Sequence, residues 1–376
     1  MNAPPPDARP PASASASGPG DLAPLRARID ELDARIVQLL NERAQVVVEV
    51  GRIKSHTDAP IFAPDREHAV LTRLDQLNQG PLPAASLRAI YRELMSASFL
   101  LEKPLRIAYL GPEGSFSHAA AAGKFGSSVQ YVPMADIPAV FAEVGRRHVD
   151  FGVVPIENTS HGGVIDTLDA FLASRIQICS EVLLDVHHNL LANGPMEQIQ
   201  RVYSKPEVFS QCARWLATVG LLDKCIASPS TSAAARLARD EPHAAALASK
   251  LAAEIYSLPI LCPRVEDQAN NTTRFFVIGR QPAKPSGDDK TAIMFTTAHK
   301  AGALVRVLNA FERAGINLTM ITSRPSRRRN WEYYFFVDAE GHAELPPMKD
   351  AIDAVRPDCL ELHILGSFPR VREVIE

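Results

Sequence analysis

The chain has 376 residues, a formal net charge of −3 and 46% hydrophobic residues. This length exceeds one ordinary hydrophobic core, so two to four domains are expected. The small net charge excludes a polyanion-binding protein, and no nucleic-acid partner is expected.

Residues 1–20 consist largely of Pro, Ala, Ser and Gly and are predicted to form a disordered tail without the apolar segment of a signal peptide. No stretch reaches about 18 consecutive apolar residues, so no membrane partner is expected. The five cysteines are widely spaced and form no C-x-x-C pair. This spacing argues against a disulfide framework and a structural zinc site, and favours a reducing cytoplasm.

Residues 21–103 are predicted to form an all-α, three-helix domain. In the first helix, apolar residues recur at steps of three and four from Leu25 to Ile53, and Arg43 interrupts this stripe. The helix would be about 43 Å long, more than a small domain covers. The stripe is therefore predicted to pack against a second copy of the chain, which makes the protein a homodimer or a larger homo-oligomer.

Arg43 and Lys54 are 11 residues apart, so both should point to the same side of the helix. Arg26 lies about 100° round the helix and would have to come from a partner helix. The alternative interpretation is that Arg43 fixes the register of a dimer seam while Arg26 and Lys54 are solvated.

Residues 105–281 alternate buried strands with helical patterns, which predicts a mostly parallel sheet. The chain leaves the first half near Leu184 and returns near Asn270, which predicts two lobes with a cleft. Three strand runs have polar residues at an end: 105–110 before GPEGSFSH, 151–155 before Glu157 and Asn158, and 275–279 after NTTR. Such strand ends are typical ligand sites in α/β folds.

Residues 282–289 have the composition of a linker. Residues 290–376 follow the order βαββαβ, which is that of a ferredoxin-like sandwich.

His187 and His188 are adjacent, and neighbours in a strand point to opposite faces, so no metal site is predicted there.

Five motifs carry a family resemblance: GPEGSFSH (111–118), PIENTS with GGVIDTLD (155–169), YSKPEVFSQC (203–212), STSAA (230–234) and NTTRFFVIG (271–279). Together and in this order they resemble prephenate dehydratase, which implies a two-lobed, periplasmic-binding-protein-like α/β domain. The resemblance places Thr273 at the catalytic position. Thr273 would either relay a proton from a neighbour such as Glu157 or orient the leaving hydroxyl.

The same resemblance and the strand-end positions imply a set of residues that line the substrate site. Arg274 would hold a substrate carboxylate bidentately. The other lining residues would be Ser115, Ser117, Asn158, Thr159, Gln211, Ser230, Thr231 and Ser232. The alternative for each Ser or Thr is a capping or turn role.

Residues 25–54 and the DRE sequence at 65–67 resemble the all-helical chorismate mutases. The resemblance implies that cations bind and fold the dicarboxylate chorismate, with Lys54 and Glu102 as the catalytic pair. The implied binding residues are Arg26 of the partner, Arg43, Lys54, Arg66, Glu67, Ser98 and Glu102. Ala63 replaces a residue that is acidic in some relatives, and Glu102 replaces a glutamine.

The last domain resembles ACT domains, which implies phenylalanine as an effector. GALV is intact, whereas Thr322 replaces the glutamate of the ESRP motif. The implied effector residues are Gly302, Ala303, Leu304, Val305, Asn317, Ser323, Arg324 and Pro325.

The whole chain therefore resembles the P-protein family, bifunctional enzymes that convert chorismate to prephenate and prephenate to phenylpyruvate without a cofactor. Two alternatives remain: a dehydratase that acts on arogenate, and a phenylalanine-sensing protein without catalysis. The intact site residues argue against the sensor: Arg43, Lys54, Arg66, Glu157, Thr273 and Arg274. The mutase domain argues against arogenate.

Glu102 generates a prediction about pH. Only a protonated carboxyl can donate a hydrogen bond to the ether oxygen of chorismate, as a glutamine does. Mutase activity should therefore fall as the pH rises from 5 to 8, and the Glu102→Gln variant should have a flatter profile. A flat profile of the unaltered enzyme in a chorismate-depletion assay would contradict this role.

Overall fold

The computed structural model describes residues 22–56, 60–160, 162–326 and 332–376. The predicted tail at 1–20 lies outside these residues. Among the described residues, no helix is both long and apolar enough to span a bilayer.

The N-terminal part contains the three predicted helices, α1 (Ala23–Ser55), α2 (Pro64–Leu77) and α3 (Ala84–Glu102). Pro64 occupies the first turn of α2, where its missing N–H costs no hydrogen bond. Helix α1 packs along α3, yet none of its residues is buried. The apolar stripe of α1 is thus exposed, with Ile36 at 52% and Leu39 at 61%.

The first lobe of the α/β domain is built on one large sheet. Its elements before the second lobe are β1 (Arg106–Leu110), α4 (Phe116–Phe125), β2 (Gln130–Met134), α5 (Ile137–Gly145), β3 (Phe151–Asn158), β4 (Gly162–Gly163), α6 (Ile165–Ala173) and β5 (Gln177–Asp185). Strand β3 continues to Asn158, three residues beyond the predicted end at Pro155, because a later strand pairs with it up to that residue.

The second lobe has its own five-stranded sheet, in the order β10-β6-β9-β7-β8. Its elements are β6 (Asn189–Ala192), β7 (Arg201–Ser204), α7 (Pro206–Gln211), α8 (Ala213–Thr218), β8 (Cys225–Ala227), α9 (Thr231–Asp240), β9 (Ala244–Ala248), α10 (Lys250–Tyr256) and β10 (Ile260–Cys262). The chain then returns through β11 (Thr272–Gly279). The predicted division into two lobes is confirmed.

The prediction of a mostly parallel sheet is wrong for the centre of the first lobe. Strand β11 lies between β3 and β5 and pairs antiparallel with both. The reason is the topology: the chain crosses from β5 to the second lobe and comes back in the opposite direction. Parallel pairing remains between β1 and its neighbours β2 and β3.

The C-terminal domain has the predicted βαββαβ order. Its elements are β12 (Asp289–Thr297), α11 (Ala303–Arg313), β13 (Leu318–Pro325), β14 (Tyr333–Glu340), α12 (Met348–Val355) and β15 (Cys359–Pro369). The sheet order β13-β14-β12-β15 is that of a ferredoxin-like sandwich. The residues after β15 depart from the predicted domain, since β16 (Val374–Ile375) pairs with β5 in the sheet of the first lobe.

Buried side chains connect the domains. Phe62, 2% exposed, follows α1 and packs edge-on against Phe99 of α3 and against Phe125 and Phe151 of the first lobe. On the other side of the large sheet, Phe276 of β11 lies 5.7 Å from Phe368 of β15 between ring centroids. Neighbouring domains therefore share apolar contacts on both faces of this sheet.

Candidate functional site

The first candidate site lies between α1 and α3. The Arg43 guanidinium donates to Ser98 Oγ at 2.8 Å. The Lys54 ammonium donates to Glu102 Oε2 at 2.9 Å and to the carbonyl of Ile61 at 3.3 Å. The Glu102 side chain is only 10% exposed. Two cations of α1 thus contact a hydroxyl and a carboxyl of α3, and Lys54 and Glu102 line a common cleft.

The other predicted residues of this site are placed differently. Arg66 is exposed and lines the same cleft as Lys54 and Glu102. Glu67 requires a correction: its carboxylate pairs with Lys124 of α4 at 2.5 Å, with both side chains at most 15% exposed. This ion pair holds Glu67 at the interface with the first lobe. Arg26 is exposed, about 26 Å along α1 from Arg43.

The second candidate site lies where β3 and β11 pair at the edge of the first lobe. Asn158 Nδ2 donates to Thr273 Oγ1 at 2.7 Å and to Asn271 Oδ1 at 2.9 Å. Thr273 is 9% exposed. Because the Thr273 oxygen accepts this bond, its own proton can be donated elsewhere. The structure therefore prepares the Thr273 hydroxyl as a donor.

Thr159 and Glu157 flank this pair with different roles. The Thr159 hydroxyl donates to the carbonyl of Asn270 at 3.2 Å and accepts from the N–H of Thr272 at 3.1 Å, so it connects the two strands. Glu157 pairs with Arg274 in the ladder, whereas Thr273 pairs with Asn158. Since adjacent residues of a strand face opposite sides, the ladder places Glu157 on the other face from Thr273. This favours an orienting role of Thr273 over a direct relay from Glu157.

Several predicted lining residues have structural hydrogen bonds. Ser115 is the N-cap of α4, and Ser230 is the N-cap of α9. Ser232 is fully buried and donates to the carbonyl of Glu113, across the junction of the lobes. The capping alternative therefore holds for Ser115 and Ser230, and the expectation that Ser232 contacts substrate is corrected. Ser117 and Thr231 are each 6% exposed.

Two buried histidines near the junction were not among the predicted site residues. His118 accepts from the N–H of Gly114 at 3.1 Å and stacks on Tyr109, and His188 contacts Gln211 with 2.7 Å between Nε2 and Oε1. Burial lowers the pKa of both imidazoles, so both are neutral near pH 7. The position of His118 at the end of GPEGSFSH was the available sequence signal.

His187 and His188 lie between β5 and β6, not in a strand as predicted. His187 pairs with Glu266, 2.6 Å between Nδ1 and Oε1, whereas His188 pairs with Gln211. In the parts of the chain that the structure describes, no three His, Cys, Asp or Glu residues are grouped as metal ligands.

Arg274 requires the largest correction. Its Nε donates to Glu181 Oε2 at 2.7 Å, and its Nη1 donates to Asp338 Oδ2 at 2.5 Å. The side chain is 10% exposed and faces the C-terminal domain. The guanidinium is thus already matched by two carboxylates, so it is not placed to bind a substrate carboxylate. Burial raises the pKa of Asp338, and Arg274 opposes this shift.

The predicted effector residues occupy the start of α11 and the edge strand β13. Gly302 has a positive φ of 75°, which glycine adopts without strain, and it precedes α11. Ala303 is buried, Leu304 is partly buried and Val305 is exposed. Asn317, Ser323 and Pro325 are exposed. Arg324 is corrected, since it donates to Asp169 of α6 at 3.0 to 3.2 Å.

Three family models match the chain over nearly all of its described length. They are chorismate mutase type II at residues 25–103, prephenate dehydratase at 107–283 and the ACT domain at 291–357. A bifunctional chorismate mutase/prephenate dehydratase of Pseudomonas aeruginosa is 42% identical over 356 residues, which cover 93% of this chain and 98% of that protein. The chain belongs to the bifunctional chorismate mutase/prephenate dehydratase family.

Two solved structures superpose on most of this chain. The prephenate dehydratase of Arthrobacter aurescens in complex with L-Phe superposes with a TM-score of 0.66 at 28% identity, over 72% of this chain and 93% of that one. A protein described as GqqA, a novel type of quorum quenching acylase, gives the same TM-score and identity over 71% of this chain and 98% of that one. The chain is thus a family enzyme with a mutase, a dehydratase and an ACT domain.

The contact between Asn158 and Thr273 generates a prediction. Thr273→Val keeps the shape of the side chain but removes the hydroxyl, so dehydratase kcat should fall about 10²-fold or more. Asn158→Ala should lower kcat by about tenfold because Thr273 loses its orienting donor. Prephenate consumption is measured at saturation.

Thr273→Ser is the matched control, since it keeps the hydroxyl and should retain most of the activity. Mutase activity of the same chain should not change and reports on folding. A Thr273→Val variant with unaltered dehydratase kcat would exclude the proposed role of the hydroxyl.

Proposed function

We propose that the enzyme converts chorismate to prephenate between α1 and α3, and prephenate to phenylpyruvate at the Thr273 site, and that phenylalanine inhibits the second step. The observation that carries the proposal is the pair of Asn158 and Thr273, which presents an oriented hydroxyl at the junction of two lobes. The two reactions need no cofactor, since one is a rearrangement and the other is driven by aromatisation.

The mutase step requires the substrate to be folded, not attacked. In the proposal, Arg43 and Lys54 bind the carboxylates of chorismate and hold the two reacting carbons together. Lys54 is paired with Glu102 at 2.9 Å in the free enzyme, so chorismate competes with Glu102 for the ammonium. Glu102, once released from Lys54 and in its protonated form, then donates to the ether oxygen, on which negative charge develops as the carbon–oxygen bond breaks.

The dehydratase step breaks two bonds. The carbon–carbon bond to the ring carboxylate breaks and releases carbon dioxide, and its electron pair completes the aromatic ring. The carbon–oxygen bond on the opposite side of the ring breaks, and the hydroxyl leaves as water after it takes a proton. We assign Thr273 to donate to this leaving hydroxyl, with Asn158 holding the Thr273 oxygen.

The two proposed sites are far apart in one chain. The cleft that contains Lys54 and Glu102 is also lined by Phe151 and Arg280, at the opposite ends of β3 and β11 from Asn158 and Thr273. From Thr273 to Gly279, β11 extends for about 20 Å. This separation supports release of prephenate to solvent between the two steps.

A second copy of the chain is proposed to cover α1. Apolar side chains are exposed along the whole helix, from Leu25 at 61% to Ile53 at 68%. An exposed apolar stripe of this length is typical of an interface. In a homodimer through α1, Arg26 of the partner would complete the mutase site. Arg26 of the same chain lies too far along α1 to do so.

The ACT domain is proposed to bind phenylalanine near the start of α11 and along β13. The Arthrobacter aurescens dehydratase was solved with L-Phe, which supports this effector.

A cytoplasmic location is also proposed, since the five cysteines are all unpaired thiols.

The central experiment supplies chorismate to the purified enzyme and follows prephenate and phenylpyruvate by chromatography. Prephenate should appear first in solution, phenylpyruvate should follow after a lag, and added phenylalanine should lower only the second product. Arogenate is tested in parallel as a substrate. Prephenate that accumulates without further reaction would overturn the dehydratase assignment, and absence of turnover would favour a phenylalanine sensor.

The proposed homodimer gives a separate prediction. Ile36→Glu places a charge in the middle of the exposed stripe, so it should convert the dimer to a monomer in light scattering. Mutase activity should fall by at least about tenfold because Arg26 of the partner is lost. Dehydratase activity on added prephenate should remain.

Gln38→Glu is the matched control, because Gln38 is exposed on the other side of α1, where its Nε2 donates to Glu42 Oε1 at 2.9 Å. It should leave mass and both activities unchanged. An Ile36→Glu variant that stays dimeric would place the interface elsewhere.

A further inference from the structure

A buried cluster of four charged side chains joins the dehydratase domain to the ACT domain. Arg274 of β11 lies between Glu181 of β5 and Asp338 of β14, at 2.6 and 2.5 Å. Lys290 of β12 also pairs with Glu181, at 3.1 Å. The Glu181 side chain is 0% exposed and that of Asp338 is 1% exposed. Two cations and two carboxylates thus balance each other away from water.

This balance makes each member dependent on the others. A buried ion pair is held because removal of one partner leaves the other charge unpaired in a low-dielectric environment. Arg274 has one carboxylate on each side, one from its own domain and one from the ACT domain. The position of the guanidinium is therefore set jointly by both domains.

Arg274 is adjacent to Thr273 in β11. The two side chains face opposite sides of the sheet, so Thr273 faces the lobe junction while Arg274 faces the ACT domain. The ladder between β11 and β3 is irregular here, since the register shifts between Arg274 and Phe275. The extra residue of this irregularity, Ile156, is in β3, whereas β11 pairs with β5 without a shift from Thr272 to Val277, so Thr273 and Arg274 are held as parts of one continuous strand.

Asp338 is in turn close to the strand that carries the predicted effector residues. It pairs with Met320 in the ladder between β14 and β13. The Met320 sulfur lies 4.0 Å from Arg274 Nη1, so β13 also contacts the cluster. A shift of β13 can thus reach Arg274 directly through Met320, or through Asp338 on the neighbouring strand.

We propose that Asp338 is a positioning residue for the dehydratase reaction. Through Arg274 it holds β11 so that the Thr273 hydroxyl meets the leaving group, and this link carries the effect of the ACT ligand to the catalytic strand. The regulatory half of the inference rests on the proposed function, in which phenylalanine binds the ACT domain.

The test is the Asp338→Asn variant in the full-length enzyme. It keeps the size of the side chain and removes its charge. Dehydratase kcat should fall by about tenfold or more, because small misplacement of a catalytic group is costly, while KM changes by less than about threefold. Bound phenylalanine, measured by equilibrium dialysis, should remain, but it should change dehydratase turnover less than in the unaltered enzyme.

Glu340→Gln is the matched control, since it removes a carboxylate from the same strand. Glu340 pairs with Arg370 at 2.6 Å, and both side chains are about one third exposed, unlike the buried Asp338. This variant should keep kcat and the response to phenylalanine. Mutase activity of each variant, measured on the same sample, reports whether the chain is folded.

Arg274→Lys is the second variant, and it preserves the charge balance of the cluster. A positioning role predicts a lower kcat at a similar KM, whereas a direct contact with a substrate carboxylate predicts a raised KM. If Asp338→Asn lost mutase activity as well, Arg274→Lys would decide the question. Rescue of kcat in Asp338→Glu would support the ion pair as the cause.

The outcomes separate this inference from the proposed function. If the unaltered enzyme is active and inhibited by phenylalanine while Asp338→Asn behaves in the same way, the inference is overturned and the proposed function stands. If the unaltered enzyme does not consume prephenate, the proposed function itself fails. Equal losses of kcat in Asp338→Asn and Glu340→Gln would also overturn the inference, because they would show a general effect of β14.

Discussion

The return of β11 between β3 and β5 is the constraint on which the rest of the structure depends. Its antiparallel pairing closes the first lobe after the second lobe has been completed, and it brings residues 113 or more positions apart into hydrogen-bond contact, such as Asn158 with Asn271 and Thr273. Strand β11 therefore supplies Thr273 to the contact with Asn158 on one face and Arg274 and Phe276 to the ACT interface on the other. Because successive side chains of a strand point to opposite faces, a movement of β11 displaces Thr273 and Arg274 together.

The contacts between domains differ in kind on the two faces of the large sheet. The mutase side is held by the aromatic group around Phe62 and by the ion pair of Glu67 and Lys124. The ACT side combines apolar contacts such as Phe276 with Phe368 and the buried charges around Arg274. Apolar contacts supply non-directional stability, whereas buried ion pairs tolerate little displacement. The ACT face has the larger and more deeply buried group of ion pairs, so it is the face suited to transmit a small movement.

The chain end adds a third connection. After β15 the backbone N–H of Val371 donates to Glu181 at 3.0 Å, Glu373 pairs with Arg88 of α3 at 2.7 Å, and β16 pairs with β5. The last residues thus contact the mutase and dehydratase domains, whereas the βαββαβ pattern predicted them to be part of the ACT domain alone. Their pairing depends on a strand edge that is visible only in the folded chain.

Local signals in the sequence determined the elements and the family. The three helices, the βαββαβ order and the two lobes follow from periodicity and from the polar residues at strand ends, because these reflect burial and capping over a few residues. The five motifs predicted Thr273 and Asn158 as site residues, and the structure places their side chains in hydrogen-bond contact. Only the tertiary structure decided which partner each predicted site residue bonds to. Glu67, Ser232, Arg274 and Arg324 have residue types suited to ligands, yet each is bonded to a group from another domain or lobe. Such partners are distant in sequence, so no local pattern encodes them, and whether a charge serves substrate or structure is set by the fold that surrounds it.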